Sequence, residues 1–234
     1  MPLEWRIYEG NDLQFDKHSY LVKLEFQRTE TLTVTMCSGS IISSSWIISS
    51  AHCFHGSVRT VLVSYGTKRG LRRIARVHKR DTWLHPSFTP KGDAVLNRER
   101  DIALLRLRPA IASDANIKPL KLAAIYPRAG EPATIAGYGR TEVYSTPPKQ
   151  GAVVITQCPF PKGTAICTEG AVRTAPGDSG GPLIYDDSLV GLTSAGCTDV
   201  QTNRMCLTVY TSIAANINWI RQVTKIPVTI IISA

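Results

Sequence analysis

Ten short runs rich in valine, isoleucine, threonine and tyrosine recur along this chain: SYLVKLEF, TLTVTM, SGSIIS, WIISSA, TVLVSYG, DIALLRLR, PATIAGYG, GAVVITQ, GPLIYDDSLVGLTS and CLTVYT. Clusters of glycine, proline, serine and asparagine separate them. Branched and aromatic side chains suit the pleated, half-buried surface of a strand, and many short strands with turn residues between them fold as a β-sandwich or β-barrel. Only the C-terminal end reads as helix. There TSIAANINWIRQV sets Ile213, Ile217 and Ile220 at three- and four-residue spacing, with Ser212 placed to cap the first turn. The polar, proline-bearing segment 108–122 is the expected crossing between two halves.

With 234 residues the chain can bury a substantial core, and 43% hydrophobic against 19% charged residues is a globular composition. The net charge of +9 favours acidic partners. Neither zinc-finger spacing nor an RNP-type motif accompanies it, so nucleic acid is not expected. Six cysteines without a C-x-x-C pair suit three disulfides in an oxidising compartment better than zinc or thioredoxin-like chemistry. The start, MPLEWRIYEG, lacks the pattern of a signal peptide and reads as a mature or trimmed form or as a wrongly assigned start. The apolar tail VTIIISA is far shorter than the roughly 20 residues that cross a bilayer.

Chemistry enters with TAPGDSGGPLIY, residues 174–185. Ser179 stands among glycines as an exposed nucleophile or as part of an ordinary turn. The pentad 177–181 also fits G-x-S-x-G, the nucleophile elbow of α/β-hydrolases, but that elbow runs directly into a helix. Here Pro182 and a strand-like run follow, which argues against a helix. A serine hydroxyl needs a base, usually a histidine oriented by a carboxylate. His52 ends an apolar strand beside a cysteine; His55 lies past it in a loop-like stretch, and His18, His78 and His85 read as surface groups. Asp101 opens the apolar run DIALLRLR. The order His52, Asp101, Ser179 is that of the chymotrypsin triad, whereas α/β-hydrolases run serine, acid, histidine.

These residues carry a resemblance. CSGSIISSSWIISSAHC (37–53), RDIALLRL (100–107) and GDSGGPL (177–183) resemble the histidine, aspartate and serine blocks of trypsin/chymotrypsin-like serine proteases. HPSF, IAGYGRT, LTSAG, TVYTSI and NWIRQ fall in the family's order, so the resemblance covers residues 7–225. It implies two six-stranded antiparallel β-barrels, roughly 7–115 and 116–225, with the C-terminal helix and a tail over 226–234. It further implies a secreted endopeptidase acting on proteins or peptides without a cofactor or metal. Ser179 is the expected nucleophile, His52 its base and Asp101 the orienting acid, with the N–H groups of Gly177 and Ser179 as oxyanion hole and Ser194 supporting Asp101. The junction Arg6–Ile7 resembles an activation site. Met1–Arg6 would be a residual pro-segment, removed by another protease so that the new Ile7 ammonium pairs with Asp178.

The departures are informative. The resemblance pairs Cys37 with Cys53 and Cys158 with Cys167. Ala175 stands where many members have a cysteine, so Cys197 and Cys206 are expected to bond to each other. Arg173 occupies the pocket-floor position that is aspartate in trypsins, with Gly196 at the pocket entrance and Thr208 on its wall. That argues against cleavage after lysine or arginine and leaves open an acidic or a small apolar preference. The stretch 67–80 carries seven lysines or arginines where trypsins have an acidic calcium loop, so no calcium is expected; it is a solvated loop or a site for polyanions or acidic proteins. The alternative function is a catalytically silent homologue that binds such partners.

Overall fold

The computed structural model describes residues 7–29, 34–67, 70–90, 98–112, 117–139, 147–161, 163, 165–196 and 207–227. Strand β1 (Asn11–Asp12) is followed by β2 (Leu21–Arg28), β3 (Thr35–Ser43), β4 (Trp46–Ser49), β5 (Val58–Thr67), β6 (Gly70–His78), β7 (Thr82–Leu84) and β8 (Ala103–Arg106). The second half holds β9 (Lys121–Leu122), β10 (Pro132–Gly137), β11 (Lys149–Thr156), β12 (Ala165–Glu169), β13 (Pro182–Tyr185), β14 (Ser188–Ala195), β15 (Leu207–Ser212) and helix α1 (Ile213–Thr224).

Among the described residues the fold is nearly all-β, with this helix, a helical stub at 98–99 and short 3₁₀ turns, and the strands form two sheets. In the second half β11-β10-β13-β14-β15-β12 closes on itself, because β12 also pairs with β11: a six-stranded antiparallel barrel. The first half differs from the expected six-stranded barrel. Its strands run β6-β5-β2-β3-β4-β8-β7, a curled sheet of seven that stays open among the described residues. Both of its edges resist closure: β7 has three residues, and β6 presents Arg72, Arg73 and Arg76 to solvent. Charged side chains on an edge strand discourage further pairing. The basic stretch read as a loop is therefore largely this edge strand.

Alternation builds the cores. In β2, Val22, Leu24 and Phe26 are buried while Lys23 and Glu25 are less so; in β11, Val153 and Ile155 point inward and Val154 outward. The run 181–194, read as one segment, is a hairpin whose turn residues Asp186 and Asp187 both have positive φ, the geometry that matches the twist of paired strands. Ser212 caps α1 by accepting the Ala215 N–H, and Ile213 and Ile220 are buried. The crossing leaves the first sheet after β8 and reaches the second at β9, which pairs in parallel with β14. The extreme N-terminal strand crosses too: β1 pairs with β11 through Asn11–Gln150 and Asp12–Lys149.

Two histidines read as surface groups are buried. His18 Nδ1 lies 2.5 Å from the Tyr20 hydroxyl, and His85 packs on the Trp219 ring. Burial lowers the pKa of both rings below the ordinary 6.5, which keeps them neutral at pH 7. Nothing in the residues beside them marks either as buried; tertiary packing decides it.

Candidate active site

The site begins with two neighbouring strands. In β4 the run WIIS is wholly buried, and the chain then turns through a single 3₁₀ turn, Ala51–Phe54. Ala51 and Cys53 point inward, Cys53 bonding to Cys37, while the His52 side chain stays 37% exposed. β8 pairs antiparallel with β4 in the register Ser49–Ala103. That register brings His52, three residues past Ser49, to Asp101, two residues before Ala103. One Asp101 oxygen lies 2.6 Å from His52 Nδ1 and the other accepts the His52 backbone N–H at 2.8 Å. A carboxylate oxygen at Nδ1 assigns the ring hydrogen there, which leaves Nε2 as the basic nitrogen of the neutral ring. Ser194 Oγ, on β14, donates to the same Asp101 oxygen at 2.6 Å.

The loop that carries Ser179 comes from the second barrel and packs against the end of the strand leading to His52. Gly177 adopts φ +94° and Gly180 φ +76°, backbone conformations that favour glycine. A β-carbon at Gly180 would come within 2.8 Å of Ser50 N and collide with Ser49 Oγ, so the loop after Ser179 lies directly against the strand end that leads to His52. Bonds across the seam fasten it: Ser38 N–H donates to Ser179 O, and Ser50 Oγ donates to Thr193 O, the carbonyl that also accepts the Gly180 N–H from within the second barrel. Neither the Gly177 nor the Ser179 N–H has an acceptor among the described residues. A strand, β13, follows the loop, as Pro182 suggested, and not a helix.

Asp178 is fully buried; its oxygens accept the N–H groups of Gly139 and Ala175 at 2.8 and 2.9 Å. Ile7 is 1% exposed within the second core, and Tyr8 N–H donates to Arg173 O at 2.8 Å. Arg173 is only 5% exposed, and its guanidinium lies 5.2 Å from the centre of the Tyr8 ring. Thr208 is buried, and Gly196 stands beside Thr174, whose Oγ1 would be 3.0 Å from a β-carbon at 196. Cys158 bonds to Cys167. Arg6, Cys197 and Cys206 lie outside the described residues.

Donor atoms of Cys37, His52 and Cys53 come within 4.8 Å of one another, but both sulfurs are in the disulfide and Nδ1 is engaged by Asp101, so the group offers no metal-ligand set. Sequence reasoning missed Ser38, Ser50 and Thr193, which hold the seam together. Serines inside strand-like runs give no periodic signal.

Comparisons with known proteins bear on the family and the fold. The family model described as Trypsin matches residues 7–220. The chain is 29% identical to trypsin of Sus scrofa over 203 residues, covering 80% of this chain and 84% of that protein. It is 26% identical to the factor V activator of Macrovipera lebetinus over 231 residues, covering 92% of this chain and 86% of that protein. HL collagenase superposes with a TM-score of 0.74 at 23% identity, over 94% of this chain and all of that one. Neuropsin of mouse brain gives the same TM-score at 24% identity, over 92% of this chain and 98% of that one, and likewise shares the fold. With the family match spanning both sheets and the loops between them, the chain belongs to the trypsin family and is a serine protease.

Proposed function

We propose that the protein is a secreted endopeptidase that cleaves through an acyl-enzyme. The observation that carries this is the double grip of Asp101 on His52, which orients the ring with Nε2 as its base. In the reaction His52 takes the Ser179 proton as Oγ attacks the scissile carbonyl. The same proton then passes to the leaving amine, and water repeats the sequence on the ester. Asp101 stabilises the imidazolium, with Ser194 steadying the carboxylate. The N–H groups of Gly177 and Ser179 receive the developing oxyanion. Secretion is supported by two disulfides, which persist in oxidising compartments. A fluorophosphonate should label Ser179 after activation and leave a His52→Ala variant unlabelled. An unlabelled wild type supports a silent binding protein instead.

Primary specificity follows from Arg173. A buried guanidinium at the pocket floor opposes a substrate lysine or arginine in a partly desolvated space. Its contact with Tyr8 favours a small apolar preference, whereas a side chain turned into the pocket would pair an acidic residue. Peptide-library profiling is expected to show cleavage after small apolar or acidic residues. Efficient cleavage after lysine or arginine sinks the reading. Loss of acidic cleavage alone in Arg173→Ala assigns the acidic branch.

The exposed arginines of β6 support a polyanion site. Retention on heparin should fall with added salt and should drop sharply in the triple variant Arg72→Ala, Arg73→Ala, Arg76→Ala. Equal retention of both proteins would assign these arginines to edge protection alone.

A further inference from the structure

We infer that Ser38, a residue of the first sheet, is a positioning residue for the oxyanion hole; the inference rests on the proposed acyl-enzyme reaction. Ser38 is fully buried on β3 and touches the nucleophile loop twice. Its backbone N–H donates to Ser179 O at 2.8 Å, and its hydroxyl donates to Gly177 O at 3.1 Å. The same hydroxyl accepts the Tyr138 N–H at 2.9 Å. Both directions are fixed by chemistry, because an amide N–H can only donate and a carbonyl can only accept. Ser38 thus holds the two carbonyls that flank Asp178, and it ties one of them to the strand end where Gly139 N–H holds the Asp178 carboxylate.

The peptide between Gly177 and Asp178 is consequently fixed at both ends. Its carbonyl is bound by Ser38 Oγ, and its N–H donates to Ala175 O at 3.0 Å. With that plane held, the direction of the Gly177 N–H depends only on the two backbone torsions of Gly177 itself, of which φ is +94°. The Ser38 hydroxyl thereby keeps the free N–H groups of Gly177 and Ser179 aimed together. An oxyanion donor acts only when it points at the place where charge develops, and misplacement by about 1 Å can cost on the order of 100-fold in rate.

The test is Ser38→Ala, with Ser40→Ala as the control. Ser40 is also buried on β3, and its hydroxyl has no hydrogen-bond partner among the described residues. In Ser38→Ala, kcat should fall by about tenfold to 100-fold with KM nearly unchanged. Affinity for a peptide aldehyde, whose hemiacetal places an oxygen in the hole, should fall in parallel. Affinity for the matching peptide alcohol, which forms no such adduct, should be kept. Ser38→Thr, which retains the hydroxyl, should recover most of the activity, and Ser40→Ala should match wild type. If Ser38→Ala does not fold, Ser38→Cys, with a weaker donor and a longer bond, carries the same expectation at smaller size. Undiminished kcat and aldehyde affinity in a folded Ser38→Ala or Ser38→Cys overturns this inference alone. An activated wild type without activity overturns the functional reading beneath it, and this inference with it.

Discussion

Replacing Ser179 with alanine should lower kcat by about 10⁶-fold while leaving KM and thermal stability close to wild type. The side chain is half-buried at the seam, and its loop is fastened by backbone groups that alanine retains, so the loss is chemical and not structural. His52→Ala should cost about as much, because a hydroxyl without its base and a base without its hydroxyl are equally idle. The double variant should therefore be little worse than either single one. Residual turnover of about 10³-fold over water should survive in all three, supplied by the oxyanion donors and by substrate binding. Steady-state kinetics on one peptide substrate, backed by active-site titration, measures each value. Additive losses, or a Ser179→Ala enzyme that keeps several per cent of its activity, would point to a different nucleophile.

Where sequence and structure agree, the reasons are local. Ser212 caps α1 because a hydroxyl before a helical run has an orphan N–H to receive it, and His52 meets Asp101 because both sit at the ends of apolar runs that pair. The residues that escaped notice act across long separations. Ser38 is 139 residues from Gly177, and Ser50 is 143 from Thr193, distances at which no pattern in the chain reports a contact. Strand β6 was obscured for a different reason. Among its residues only Val77 is buried, so the alternation that marks β2 and β11 is absent. The burial of Arg173 against Tyr8 was likewise illegible, since nothing in the sequence around an arginine says which ring it will cover.

A second large effect is expected at Asp178. Cleavage after Arg6 should raise kcat/KM by on the order of 10²–10³-fold, and Asp178→Asn should remove most of that gain. The carboxylate is completely buried with amide donors from Gly139 and Ala175, and in the proposed scheme a new ammonium at Ile7 forms an ion pair with it. Breaking a buried ion pair by removing one partner typically costs about 3–5 kcal/mol, which is ample for a shift of this size. The Ile7 side chain supports the proposal, for it lies in the second core where burial contributes about 1.5–3 kcal/mol. The measurement is activity before and after cutting with an added protease, with N-terminal sequencing of the active product. Sequencing should begin at Ile7. Full activity in the uncut chain, or an Asp178→Asn variant that activates normally, rules the scheme out. Arg173 predicts in addition that purified protein does not cut itself at Arg6.

The short pairing of β1 with β11 sets how far a new chain end could travel. Asn11 pairs with Gln150 and Asp12 with Lys149, and Tyr8 bridges to Arg173 ahead of them, so in the proposed activation at most residues 7–10 separate the freed amine from the sheet. Four residues reach at most about 14 Å when fully extended. A leash of that length confines the freed amine to a small volume around its anchor. Its local concentration there is high at any dilution of the protein, and closing so short a segment costs little entropy. Docking of the new terminus is a search within one corner of the molecule, begun from a strand that has already chosen its place.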